Sequence, residues 1–199
     1  MPKVSESHRA GRRRQILDGA RTVFARHGYE GATVAMLEEE TGLSRGAIFN
    51  YFPSKRAIFY ALAQEDLERA LRLLLDRDFG AVLRMMNAES PEWLAVYLEF
   101  MRMLRTDPGL RAEWSNRSPE LIGELAEHLG RQQQRGELRS DVSVEAIGTF
   151  LGLVADGAAV HISAGYAIDV ESVVRLVGSA IERPRARPAP PSPPRPPRS

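Results

Sequence analysis

Three features of this 199-residue chain predict an all-α fold. From residue 54 to about residue 183, apolar residues recur with the 3.6-residue helical period and show no alternating pattern of a half-buried strand. Pro91, Pro108 and Pro119 each open an apolar-periodic stretch, where the missing N–H of proline costs nothing. Gly42, Gly136 and Gly165 stand where such stretches end, in the position of helix stops.

Taken in order, residues 1–8 are polar and read as a disordered arm. A first amphipathic helix is predicted over about 9–26, with Ile16, Leu17, Ala20, Val23 and Phe24 turned inward. Thr33 is an N-cap residue for a second helix, which runs through Glu39, Glu40 and Thr41 into Gly42. Leu43 plugs the corner and Ser44 caps a third helix, RGAIFNYF, in which Ile48, Phe49 and Phe52 are spaced for burial. Pro53-Ser54-Lys55 then breaks the chain and supplies a fresh cap. Further helices are predicted near 54–77, 79–88, 91–105, 108–116, 119–134, 144–164 and 170–182, with connections short enough for a bundle.

The pair of short helices around Gly42 carries the chemistry. Its second helix buries aromatic and aliphatic residues on one side and presents Arg45, Gly46, Ala47, Asn50 and Tyr51 on the other. A cation, two small residues and two hydrogen-bonding groups on one helix face suit insertion into a DNA major groove. The plainer alternative is a helical hairpin with a solvated face. Charge distribution favours the former: residues 1–56 carry ten Lys/Arg against six Asp/Glu, and residues 57–182 carry twelve against twenty. A basic head on an acidic body presents one end to nucleic acid. Arg9 and the run Arg12-Arg13-Arg14 lie on that end, although a solvated basic surface accounts for them equally well.

The organisation read from the sequence is thus an arm (1–8), a helix-turn-helix domain (9–56, with the motif at 33–52), a helical body (57–182) and a tail (183–199). The tail, RPRARPAPPSPPRPPRS, holds eight of the thirteen prolines and five arginines, and is expected to be a disordered polyproline-like segment. The chain has no cysteine, which excludes disulfides and thiolate metal sites. Nothing in it resembles a signal peptide or a membrane-spanning run, so a cytoplasmic protein without a membrane partner is expected.

The stretches ILDGARTVFARHGYEGATV, TGLSRGAIFNYFPSK and AIFYALAQEDL, between Gln15 and Leu67, resemble the TetR family of bacterial transcriptional repressors. LRTDPGLRAEW and LRSDVSVEAIGTFLGLVADG resemble the branch of aconitase repressors, which respond to tricarboxylate–metal complexes. The resemblance implies that Thr33, Ser44, Tyr51 and Lys55 grip phosphates while Arg45, Gly46, Ala47 and Asn50 lie against base edges. Asn50 stands where many members carry His. The residue chemistry agrees, since hydroxyls and an ammonium suit phosphate while Arg bonds bidentately to guanine.

The resemblance also implies a homodimer on a palindromic operator and a small-molecule effector in the body, such as a carboxylate with a divalent metal ion. Apolar stripes on the last two helices, Ile147, Phe150, Leu151, Val154, Ala158 and Ile162 with Val170, Val173, Val174, Val177 and Ile181, suit a two-fold four-helix interface. Completing the chain's own core is the competing role for them. Glu99, Trp114, Asn116, Arg117, His128, Asp156 and His161 are the polar or amphipathic residues expected to line an effector pocket. No catalytic constellation and no obligatory cofactor is read, because the four His lie on separate segments and no Gly-rich phosphate loop is present. The expected function is a homodimeric repressor released from its operator by an effector, with central carbon metabolism as its field. The alternative is a helical small-molecule-binding or protein-interaction module without operator binding.

Overall fold

The structure is a computed structural model and describes residues 3–116 and 119–182. Among the described residues it is all-α, with ten helices: α1 Lys3–Gly31, α2 Val34–Thr41, α3 Arg45–Phe49, α4 Lys55–Asp76, α5 Phe79–Ala88, α6 Pro91–Thr106, α7 Pro108–Ser115, α8 Pro119–Gln134, α9 Val144–Ser163 and α10 Val170–Ile181. One isolated antiparallel bridge joins Leu138 to Glu182. The tail from residue 183 and Arg117 lie outside the described residues.

Two boundaries differ from the sequence reading. Helix α1 already begins at Lys3, within the stretch expected as an arm, and kinks at Gly28 (φ 67°, ψ 173°). Helix α3 is only five residues long. Asn50 caps it, and Tyr51 and Phe52 lie in the turn beyond, their N–H groups both donating to Ile48 O at 3.0 and 3.1 Å. The caps themselves fall where their residue types place them. Thr33, Ser44, Ser54 and Ser90 each accept the N–H three residues on, and Gly42 takes the left-handed conformation (φ 66°) that ends α2.

Among the described residues the buried apolar side chains form three clusters, two large ones and a small one of Leu94, Ala159 and Ile162 between α6 and α9. The first joins α1–α4 to α6 and α7: Ile16, Leu37, Ile48, Ile58, Phe24 and Phe100 are sealed within it. It does not stop at residue 56, because Phe59 stacks edge-on against Phe24 (5.2 Å) and Phe100 (5.6 Å), and Phe100 in turn against Trp114 (4.7 Å). Arg21 of α1 pairs with Asp66 of α4 and lies 4.1 Å from the Trp93 ring of α6, whose Nε1 donates to the same Asp66 at 2.9 Å. The second core gathers α5, α8, α9 and α10 around Phe79, Leu83, Leu129, Leu151 and Val177.

By length and composition α9 is apolar enough to cross a membrane, contrary to the sequence expectation that no run is. The packing gives the reason for its apolarity. Ile147, Leu151, Ala158, Ala159 and Ile162 are buried inside the body, while Phe150, Leu153 and Val160 face outward on the same helix.

Candidate nucleic-acid interface

The head is positioned by close contacts behind the recognition surface. An added Cβ on Gly19 would stand 2.5 Å from Thr41 Cγ2, so α1 and α2 approach as only glycine permits. Thr41, buried, donates to Leu37 O at 2.6 Å, and Gln15 Nε2 donates to Thr41 O at 2.7 Å. The end of α2 is thereby fixed, and with it the start of α3. Ile48 and Phe52 face the core and Phe49 is half-buried against it.

On the outer side, Arg45, Gly46 and Asn50 are exposed, and space within 4 Å of a Cβ built on Gly46 is empty. Ala47 and Tyr51 are half-buried. The Arg45 guanidinium lies 5.4 Å from the Phe49 ring centroid. Ser44 Oγ accepts from Ala47 N–H and Thr33 Oγ1 from Met36 N–H, both at 3.3 Å. A hydroxyl that accepts still has its proton to donate, so both caps keep a donor for an anion.

Two residues of this surface differ from the sequence reading or escape it. Lys55 Nζ does not project outward: it donates to Tyr29 O at 2.7 Å, Ala32 O at 2.9 Å and Glu30 O at 3.5 Å, and lies 4.5 Å from the Tyr29 ring centroid. Glu38, not singled out from the sequence, accepts the Arg45 backbone N–H at 2.6 Å and so ties α2 to the first residue of α3. Its spacing, seven residues before Arg45, is not a local motif. The basic run on α1 is paired within the chain: Arg12 with Gln15 (2.9 Å), Arg14 with Asp18 (2.9 Å) and Arg13 with Glu65 of α4 (2.8 Å).

Residues 16–62 match the family model described as bacterial regulatory proteins, tetR family. Residues 63–184 match the BetI-type transcriptional repressor C-terminal model. The chain belongs to the TetR family. Among its curated relatives, the HTH-type transcriptional repressor Rv1474c of Mycobacterium tuberculosis is 46% identical over 83% of this chain and 89% of its own. The HTH-type transcriptional repressor AcnR of Corynebacterium diphtheriae is 42% identical over 91% and 97%. Among solved structures, Salmonella enterica GusR superimposes with a TM-score of 0.69 over 85% of this chain and 94% of its own, at 22% identity, a likeness of fold. The AcnR repressors bear out the resemblance to the aconitase-repressor branch. TetR-family proteins bind DNA, dimerise and respond to small-molecule effectors; they are regulators and not enzymes.

Of the seven expected effector residues Arg117 lies outside the described residues, and the other six do not share one site. Glu99 Oε2 accepts the Tyr29 N–H at 2.8 Å, at the junction with the head. Trp114 is a core residue, packed on Phe100 and Tyr60. Asn116 is exposed and bonds back to Ala112 O at 3.1 Å. Asp156 of α9 accepts from the Tyr97 hydroxyl of α6 at 2.8 Å. His161, exposed, bonds Gly157 O at 3.0 Å beside a small apolar cavity of about 220 Å³. Of the six described residues only His128 lines a cavity of about 970 Å³ between α4, α5, α8, α9 and α10. Arg77, Asp78, Glu137, Arg175 and Glu182 surround that cavity, residues that the sequence pattern gave no reason to group. The Glu137 carboxyl is held below its usual range by Arg135 first, with His128 adding to the effect.

Proposed function

We propose that the chain is a homodimeric transcriptional repressor that reads a palindromic operator with two copies of α3 and leaves it when a small-molecule effector binds the body. The observation that carries this reading is the α3 surface: Arg45, Gly46 and Asn50 open to solvent while Ile48 of the same helix is completely buried. Arg45, Gly46, Ala47 and Asn50 meet base edges in this reading, and Thr33, Ser44 and Tyr51 meet phosphates. The repressor names of the 46% and 42% identical relatives support it. Such a protein works in the cytoplasm, where the DNA is.

The second copy is met along α9 and α10. Leu153 and Leu176 are 66% and 68% exposed, Phe150 and Val160 are partly exposed beside them, and Gly152 and Gly157 have no neighbour within 4 Å of a built Cβ. Small residues between exposed apolar ones allow helices to approach closely. A two-fold arrangement sets two recognition helices about 34–36 Å apart, one turn of DNA.

The effector occupies the 970 Å³ cavity, where Arg77, Arg175 and His128 suit a carboxylate such as citrate. Among the described residues no group of three His, Asp or Glu is placed so that it could hold one metal ion, and the proposal runs through none. Release requires that the effector bind the DNA-free state more tightly, and by linkage DNA weakens effector binding by the same factor.

Titration of the DNA upstream of its own gene at several salt concentrations tests the reading. Tyr51→Ala is expected to weaken binding on every sequence and lower the salt slope by about 0.9. Arg45→Ala is expected to cost about 1–3 kcal/mol at one base pair and relax preference there. Parent-like binding by both variants rejects α3 as the reading element. Calorimetry with citrate, with and without operator, tests the effector: equal affinity in both states rejects the switch, and no heat in either rejects the carboxylate.

A further inference from the structure

We propose that Lys55 and Glu99 are a pair of positioning residues that grip the 28–32 turn from its two sides, and that Lys55 sets the angle of the recognition helix instead of holding a phosphate. The proposal rests on the operator-binding reading above. Its physical origin is the end of α1. At Gly28 the helix breaks, and the Ala32 N–H closes the turn onto Gly28 O at 3.2 Å, so carbonyls at the break lack intrahelical partners. Lys55, the first residue of α4, brings an ammonium to Tyr29 O, Ala32 O and Glu30 O at 2.7, 2.9 and 3.5 Å. An ammonium has three protons, and three carbonyls take them. The Tyr29 ring beneath the charge adds a cation–π contact at 4.5 Å.

The opposite side of the same turn belongs to the body. Glu99 of α6 accepts the Tyr29 N–H at 2.8 Å, and the Arg102 guanidinium of the same helix stands 4.0 Å from the Glu30 carboxylate. An added Cβ on Gly28 would stand 3.6 Å from Glu99 Oε2. The anion therefore meets the N–H and the cation meets the C=O of one residue, each bond charge-assisted. Thr33, the cap of α2, follows Ala32 directly, so the turn fixes where α2 begins. Helix α6 in turn is tied to α9 by the bond from Tyr97 to Asp156. A displacement of α6 thus reaches α2 and α3 through residue 29, with Glu99 as the contact on the body and Lys55 as the one that holds α4 in step.

The experiment compares Lys55→Gln, Glu99→Gln and the double variant with the parent. Operator affinity is measured against salt, and backbone hydrogen exchange of residues 29–33 is measured without DNA. Each single change is expected to weaken operator binding about tenfold while leaving the salt slope at the parent value. Exchange at 29–33 rises in both variants, and the double change is worth less than the product of the two. Lys55→Gln lowering the slope by about 0.9, with exchange at 29–33 unchanged, overturns the proposal and returns Lys55 to a phosphate. Multiplicative effects of the two changes on exchange overturn the pairing. If the parent binds no DNA, the operator reading fails, whereas the exchange data still decide whether the pair holds the turn.

Discussion

The head and the α9–α10 face of the body bury their apolar residues to opposite degrees. In the head, Ile16, Phe24, Leu37 and Ile48 have no exposed surface, and the outer side of α3 is a cation, small residues and an amide. On α9 and α10 the outer side is Phe150, Leu153, Val160 and Leu176. The head is a finished unit that offers hydrogen bonds; the body offers uncovered hydrocarbon. The contrast separates two tasks: one end is built to meet a polar, charged surface, and the other to exclude water against a second apolar one.

The largest effect that tests this contrast is expected in the head core. Ile48→Ala should cost about 2–5 kcal/mol of unfolding free energy in urea titration, because its side chain is fully enclosed. A loss well under about 1 kcal/mol would mean the head is not closed as described.

A smaller effect sharpens the join between the two regions. Asp107 caps α7 and pairs with Arg56 at the start of α4 at 2.7 Å. Its carboxyl is held below the usual range, first by the Leu110 N–H and also by Arg56. A carboxyl with a depressed folded pKa stabilises above its unfolded value of about 4, and that stabilisation is lost as pH falls through the folded pKa. Asp107→Asn keeps a capping oxygen and removes the charge. It should lower the melting temperature slightly at pH 7 and leave it unchanged under acid conditions below the folded pKa; equal shifts at both pH values would remove the ion pair from the account.

Much of the head was legible because its signals are local. Thr33, Ser44, Ser54 and Gly42 are caps written within a few residues of the helices they bound. What escaped the sequence depends on neighbours far along the chain. Lys55 turns inward because the end of α1 lies beside it, and the close approach at Gly19 becomes visible only when Thr41 is placed against it. In the body the difficulty was rotational. Helix α9 is apolar nearly all round, so periodicity offered Ile147, Phe150, Leu151, Val154, Ala158 and Ile162 as one stripe for a partner or for the chain's own core, whereas Ile147, Leu151, Ala158 and Ile162 fill the core and Phe150 faces out with Leu153 and Val160. Val170, Val173, Val174, Val177 and Ile181 likewise pack within the second core. The expected effector residues scattered for a related reason: Glu99 and Asp156 found partners on α1 and α6 that no spacing announces.

The account turns on a head that is complete in one chain and a body that is completed by two. The most direct measurement is the solution mass, free and on a palindromic DNA fragment, of the parent and of the double variant Leu153→Glu with Leu176→Glu. The predicted result is a parent of twice the chain mass that binds as two chains per duplex, and a folded variant of single chain mass with weakened operator binding. A parent that remains a single chain while binding its operator specifically, or a double variant that dimerises as the parent does, would contradict it.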